Sequence, residues 1–269
     1  MRYIAARQPI AYSAQIDDIL MARQRYLRHA PITEALIDIQ VLPRDGLTFT
    51  GLQDSISAPE FGYYVKNPIS EGTFGFMLTS DGKQPQTIAQ AAQTGLRLHS
   101  HDEKYVVQCR LSGFTLSRLP PYDEWSNLIA EAKRVWAVYA ERLLPKRVTR
   151  VATRFINNLQ LLMDRGESYQ KYLHKLVDVP DEAPQAVASF FQRFDLVDVA
   201  SDSHVILTLA LENTLAEGRV PVILDVDAFR VTDLELSSPD LWNILERLRE
   251  LKNQCFFGAI TEATAELYE

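Results

Sequence analysis

Residues 105–145 read YVVQCRLSGFTLSRLPPYDEWSNLIAEAKRVWAVYAERLLP, and the two periodicities inside this stretch decide the fold class. Two β-rich runs, Tyr105–Leu111 and Phe114–Leu119, flank Ser112-Gly113, the composition of a tight turn. Pro120 and Pro121 cannot donate to a strand ladder, so the sheet stops there. Asp123 and Glu124 then favour a helix N-terminus by charge–dipole attraction. From Trp125 through Leu128, Ile129, Ala132, Val135, Trp136 and Tyr139 to Leu143, the apolar residues recur at helical spacing on one face, and Pro145 ends the run. A hairpin feeding a long amphipathic helix implies an α+β fold with helices packed on one face of an antiparallel sheet.

Reading outward, Ala35–Leu42 is a strand ended by Pro43, Asp45 and Gly46, and Leu52–Ile56 is a short helix. Gly62–Ile69 and Phe74–Thr79 read as two strands parted by Ser70, Glu71 and Gly72; Asp81–Pro85 reads as a loop. Gly95–Leu98 opens the meander, with a turn at His101–Glu103. Downstream, Val148–Leu162 is a long strand, Ser168–Leu176 a short helix, and Pro180 and Pro184 bracket a loop. Phe190–Val199, Val205–Leu211 and Val222–Val231 are three further strands. Ser238, Pro239 and Asp240 start a second long helix, with Leu241, Leu245, Leu248, Leu251 and Cys255 on its apolar face. Strands followed by a long helix thus occur twice: Gly113-Phe-Thr-Leu-Ser leads to Trp125 as Ala228-Phe-Arg-Val-Thr leads to Trp242. The expectation is a curved antiparallel sheet with two long helices in one α+β domain over 21–269, built as a pseudo-duplicated meander-plus-helix unit with halves 30–145 and 146–269.

The chain has 269 residues, 46% hydrophobic and 23% charged, which excludes disordered and collagen-like classes. Its net charge of -7 disfavours general nucleic-acid binding, which needs a concentrated positive field. Cys109 and Cys255 sit in apolar strings outside any CxxC motif, as buried thiols in a reducing compartment do. No apolar run reaches the roughly 18 residues of a membrane span. Residues 1–20 lack the apolar centre of a signal peptide and carry Asp17 and Asp18, so the expected location is cytoplasmic. Met21 opens MARQRYLRHAP as a start would, which makes 1–20 an extension or arm outside the core.

The segment His29-Ala-Pro-Ile-Thr-Glu-Ala-Leu-Ile-Asp-Ile resembles the start of a sporadically distributed bacterial family, whose members run to about 250 residues and open on Pro-Ile-x-Glu-Ala-hydrophobic-Ile-acidic-Ile. Arg150-Val-Ala-Thr-Arg-Phe-Ile-Asn-Asn stands where that family has Arg-x-x-x-Arg-Tyr-Ile-Asn, and the closing Phe256-Phe-Gly-Ala-Ile-Thr-Glu also matches. The likeness runs from about Met21 to the C-terminus. It implies one intact domain and carries no activity or ligand with it. Patchy distribution is the pattern of mobile or defence-associated genes.

Four constellations carry chemistry. Arg150, Arg154 and Asn158 fall at i, i+4 and i+8 of a strand, hence on one face, and two guanidiniums with an amide suit an anion or a phosphate. The structural alternative pairs them with Glu34 and Asp38, which share a face of the first strand. Asp225 and Asp227 likewise share a face and would recruit a cation, with Glu212 as a third oxygen ligand. Projected into a closed barrel, such a set would resemble the tunnel-type triphosphate enzymes, but their Glu-x-Glu-x-Lys strand is absent. His99 and His101 would share a face as metal ligands, although SHDEK is also ordinary turn composition. The helix aromatics, including Trp125, Trp136, Tyr139 and Trp242, read as core, whereas adjacent Phe256 and Phe257 cannot both enter one helix seam, so one should meet the sheet or a partner. No nucleophile elbow, P-loop or dinucleotide fingerprint occurs, so no cofactor is implied.

These features point to a non-enzymatic protein that binds a protein partner or a small anionic ligand. The alternative is a metal-assisted enzyme on a phosphate-containing ligand, with Arg150 and Arg154 for the anion and Asp225 and Asp227 for the cation. A third reading is one component of a toxin–antitoxin or defence system whose acidic surface meets a basic partner. Starting the protein at Met21 should leave its melting temperature unchanged, because 1–20 lack a core-facing pattern. Thermal unfolding of the shortened chain checks this, and a large drop would place the arm on the domain.

Overall fold

The computed structural model describes residues 21–56, 62–77, 86–163, 168–174, 179–180, 182–184, 187–211 and 218–269. The expected arm 1–20, the loop 81–85 and Glu212 lie outside the described residues, as do residues 78–79 of an expected strand and 175–176 of an expected helix. The chain runs β1 (Ile32–Leu42), α1 (Phe49–Ile56), β2 (Tyr64–Met77), β3 (Gln86–His99), β4 (Tyr105–Arg110), β5 (Gly113–Arg118), α2 (Trp125–Leu143) and β6 (Arg147–Leu161). It continues through β7 (Phe190–Asp198), β8 (Ser203–Leu211), β9 (Val220–Leu234), α3 (Asp240–Ala259) and α4 (Glu262–Glu266).

The fold is α+β. The nine described strands form one antiparallel sheet in the order β2-β3-β4-β5-β1-β6-β9-β8-β7. Among the described residues the sheet is open, with β2 and β7 at its edges, and encloses no tunnel. Strands followed by a helix repeat as a topology: β1 pairs with β5, the strand that leads into α2, and β6 pairs with β9, the strand that leads into α3. The two units join where β1 pairs antiparallel with β6. None of the described helices is long and apolar enough to cross a membrane.

Alternation along the central strands decides which face is covered. Ile37 and Ile39 of β1, Val151 and Phe155 of β6, and Leu224 and Val226 of β9 are buried, and α2 and α3 lie over them. Phe114 of β5 packs 6.1 Å from the rings of both Trp136 and Tyr139 of α2. Tyr139 is fully buried, and its hydroxyl donates to the Arg110 carbonyl at 2.9 Å, so its polar end is satisfied.

Four elements differ from the sequence reading: β3 starts at Gln86, well before the expected Gly95, α4 was not expected, and two others depart in kind. Residues 70–72 do not turn: β2 runs through them, with Ser70 opposite Gln93 and Gly72 opposite Ala91, and the irregularity is a register shift between Ile69 and Ser70. The extra residue of that shift is Thr94 on β3, so Ser70, Glu71 and Gly72 stay in regular pairing and the cross-strand ladder overrides their turn-like composition. The expected helix from Ser168 is a single 3₁₀ turn over Tyr169–Lys171, capped by Ser168 Oγ accepting from Gln170 N. The backbone beyond it pairs with the C-terminal segment instead, through His174 N to Ala259 O and Thr261 N to Tyr172 O.

Gly113 opens β5 at φ 152°, and a Cβ there would stand 2.4 Å from the Ile39 carbonyl oxygen. Gly113→Ala should therefore destabilise the protein by about 2–3 kcal/mol in denaturant unfolding. Gly258→Ala, in α3 with nothing within 4 Å of the added methyl, should instead be neutral or stabilise by up to about 1 kcal/mol. Equal stability of the two variants would contradict the close approach of β5 to β1.

Candidate functional site

The face of the sheet opposite the helices carries the arginine stripe, and its two constellations are one. Arg150 on β6 donates from Nη1 to Asp38 Oδ2 of β1 (3.2 Å) and from Nη2 to Asp227 Oδ2 of β9 (3.3 Å). Arg154 grips Asp225 with both prongs, from Nε to Oδ1 at 2.9 Å and from Nη2 to Oδ2 at 2.5 Å. Arg110 on β4, which the sequence reading passed over, closes the row by donating to Asp38 Oδ1 at 2.7 Å and lying 2.7 Å from Thr115 Oγ1. The Arg150 guanidinium also lies over the Phe229 ring at 4.3 Å, and Phe229 stacks on His204.

Three guanidiniums thus meet three carboxylates, and each charge has its counter-charge within the sheet. Burial pushes the Asp227 carboxyl up from its ordinary range, against the pull of Arg150 and Arg154. The hydrogen bonds to Asp225 raise the Arg154 guanidinium. Glu34 is half-buried on β1 and joins no ion pair among the described residues, so of the two expected acid partners only Asp38 is used. Asn158 lies further along the same face, where its Oδ1 accepts from Gln160 Nε2 at 2.7 Å. His99 Nδ1 lies 2.7 Å from Glu103 Oε2, while His101 is exposed in the adjoining turn. Among the described residues no three His, Cys, Asp or Glu side chains are grouped to hold a metal.

A cavity of about 610 Å³ opens on the other face, within the size range of small-molecule sites. The 24–32 segment, Tyr122–Ser126 at the start of α2, Phe155 and Asn157 of β6, and the C-terminal half of α3 line it. Its apolar walls are aromatic. Tyr122 meets Phe155 edge-on at 5.6 Å, Trp125 lies 6.5 Å from Phe155, and Phe256 and Phe257 form a T-shaped pair at 5.2 Å. Both phenylalanines are buried, at 6% and 7% exposure, and both reach this one cavity, which resolves how adjacent aromatics are accommodated. Trp125 is fixed by donating from Nε1 to Glu246 Oε1 at 2.8 Å. Asn157, only 2% exposed, donates to the Leu224 carbonyl at 2.9 Å.

The charge of the lining runs against that of the whole protein. Arg25, Arg28, Arg249 and Lys252 face Asp123 and Glu124, in a chain of net charge -7. Arg25 is held by Glu262 at 2.7 Å and Glu269 at 2.6 Å, and Arg249 reaches Glu246 only at 3.8 Å. Lys252 is different. It is 8% exposed, and among the described residues no carboxylate pairs with it. Its Nζ donates to Asn253 Oδ1 at 2.5 Å and lies 3.7 Å from the centre of the Phe155 ring. Burial, reinforced by the Arg249 charge, brings its pKa down to about 7. An ammonium buried without a counter-ion is costly to keep, and perturbed groups of this kind gather at functional sites. A sequence signal for it existed: Lys252 sits one turn after Leu248 and one before Phe256, on the apolar stripe of α3.

The paired row and the unpaired lysine respond to substitution in opposite ways. Arg150→Met strands Asp227 and part of Asp38, whose side chains are 20% and 13% exposed, and should destabilise the protein by about 2–3 kcal/mol. Adding Asp227→Asn should recover part of that loss in denaturant unfolding; full additivity of the two changes would dissolve the row. The chain matches no protein-family model and no curated protein, so its functional reading rests on this geometry.

Proposed function

We propose that the protein binds a small planar anion in the cavity between α3 and the sheet. The ligand ring would lie against Trp125, Phe155 and Phe256, with its acid group at Lys252 and Arg249. The observation that carries this reading is Lys252: a buried cation with no carboxylate partner among the described residues, on the wall of an aromatic cavity. A bound anion supplies the missing counter-charge in a poorly solvated site, where a charge-assisted hydrogen bond is strong. The acid row on the opposite face is internally neutral and offers no such vacancy.

Benzoate, cinnamate and indole-3-acetate should raise the melting temperature and change Trp125 fluorescence, while their neutral amides should do so far less. The charged groups around Lys252 are Arg249 on α3, Asp123 and Glu124 before α2, and Arg25 and Arg28 on the N-terminal segment. Because Lys252 loses its proton near pH 7, binding of an anion should weaken by up to about tenfold per pH unit above that point. Without ligand, the folded-state pKa lies below the unfolded value of 10.5, so the unfolded chain binds more protons between about 7 and 10.5. Wild-type stability should rise with pH across that window. Lys252→Met should remove the rise, abolish the carboxylate response and stabilise the protein near neutrality, by a few kcal/mol at most at about 1.4 kcal/mol per unit. Equal responses to acids and amides, or a destabilised Lys252→Met, would sink the reading.

A further inference from the structure

We propose that Lys252 is also a covalent site, whose Nζ condenses with the carbonyl of an aromatic 2-oxo acid to form an imine. This deepens the anion-binding reading and rests on it. Lys252 and Arg249 are three residues apart on α3, hence side by side on one helix face. A 2-oxo acid carries its carboxylate on the carbon next to the carbonyl, so a carboxylate at Arg249 brings the carbonyl to the neighbouring Nζ. The ring beyond the carbonyl then meets the aromatic wall of Trp125, Phe155 and Phe256.

The step balances without an oxidant or a co-reactant. The neutral amine adds to the carbonyl carbon, the C–N bond becomes double, and both amine hydrogens leave with the carbonyl oxygen as water. The reacting species is the unprotonated amine, and in the free protein near pH 7 about half of Lys252 is in that form, which meets a 2-oxo acid held through Arg249. An ordinary exposed lysine is unprotonated only on the order of once in a thousand molecules at that pH. Asn253 Oδ1 accepts from Nζ and fixes where the nitrogen sits. The aromatic walls disfavour return of the released water.

The test is reductive trapping of the full chain with phenylpyruvate and cyanoborohydride, read by intact mass and peptide mapping. The expected result is one adduct at Lys252, formed at least about tenfold faster than at exposed Lys133 or Lys146. The rate should fall below pH 7, and the adduct should be absent in Lys252→Arg and Lys252→Met. Arg249→Gln removes a charge that lowers the Lys252 pKa, so trapping is compared at pH 9, where most Lys252 is unprotonated; there it should slow trapping of phenylpyruvate markedly more than trapping of phenylacetaldehyde, which has no carboxylate. Phenylacetate, an acid without the carbonyl, separates the two readings by thermal shift. If phenylacetate and phenylpyruvate both bind but no adduct forms at Lys252, the imine is refuted and anion binding stands. If neither binds, the anion reading falls with it. Labelling spread evenly over all lysines overturns the covalent site.

Discussion

The antiparallel pairing of β1 with β6 is the constraint from which the rest follows. It joins two units, one of five strands and one of four, each with its first strand paired to its last, into one sheet and fixes which side chains share a face across the seam. With Ile37 opposite Thr153 and Asp38 opposite Ala152, the apolar set of both strands meets the helices and the charged set is left on the other face. A slip of one residue would exchange the two faces, which is why a half-buried sheet specifies register so strongly. The charged row adds a second lock: Asp38 is reached by Arg110 from one side and Arg150 from the other, so the row spans both units.

The two faces handle charge by different physics. On the open face, alternating signs on β4, β1, β6 and β9 compensate one another at 2.5–3.3 Å, Arg110 reaching across β5. That neutrality leaves little attraction for an outside ion. On the helix side a single ammonium lies buried over the Phe155 ring, with an amide as its hydrogen-bond partner. Such a group is held at a loss to the fold, and the loss is recovered when something of opposite charge or reactive character arrives.

Local pattern made much of this architecture legible. The helix from Trp125 to Leu143, the β4–β5 hairpin and the repeated strand–helix order could all be read from spacing alone. Cross-strand neighbours could not. Spacing along one strand places Arg150 with Arg154, and Asp225 with Asp227, but only the register of β6 on β9 brings the two pairs together. That is why one ion-pair row read as an anion site and a separate cation site. Ser70 to Gly72 misled because their regular pairing with β3, a long-range contact, outweighs their local turn preference. Lys252 was hidden by its type, since lysine on a helix ordinarily faces water. Its position on the apolar stripe was the discordant mark, and mixed consistency of that kind is expected where function is built.

The position of β1 at the centre of the sheet has a consequence for biosynthesis. β1 leaves the ribosome before either neighbour exists, because its partners β5 and β6 begin only at Gly113 and Arg147. At about 5–20 residues per second, its edges wait on the order of ten seconds for the first of them. An apolar β-strand with both edges bare is a template for pairing with other nascent chains. Glu34 and Asp38, four residues apart, interrupt its apolar run and act as gatekeepers during that interval, before Asp38 finds its arginines. The same carboxylate therefore guards the strand during translation and ties it into register afterwards.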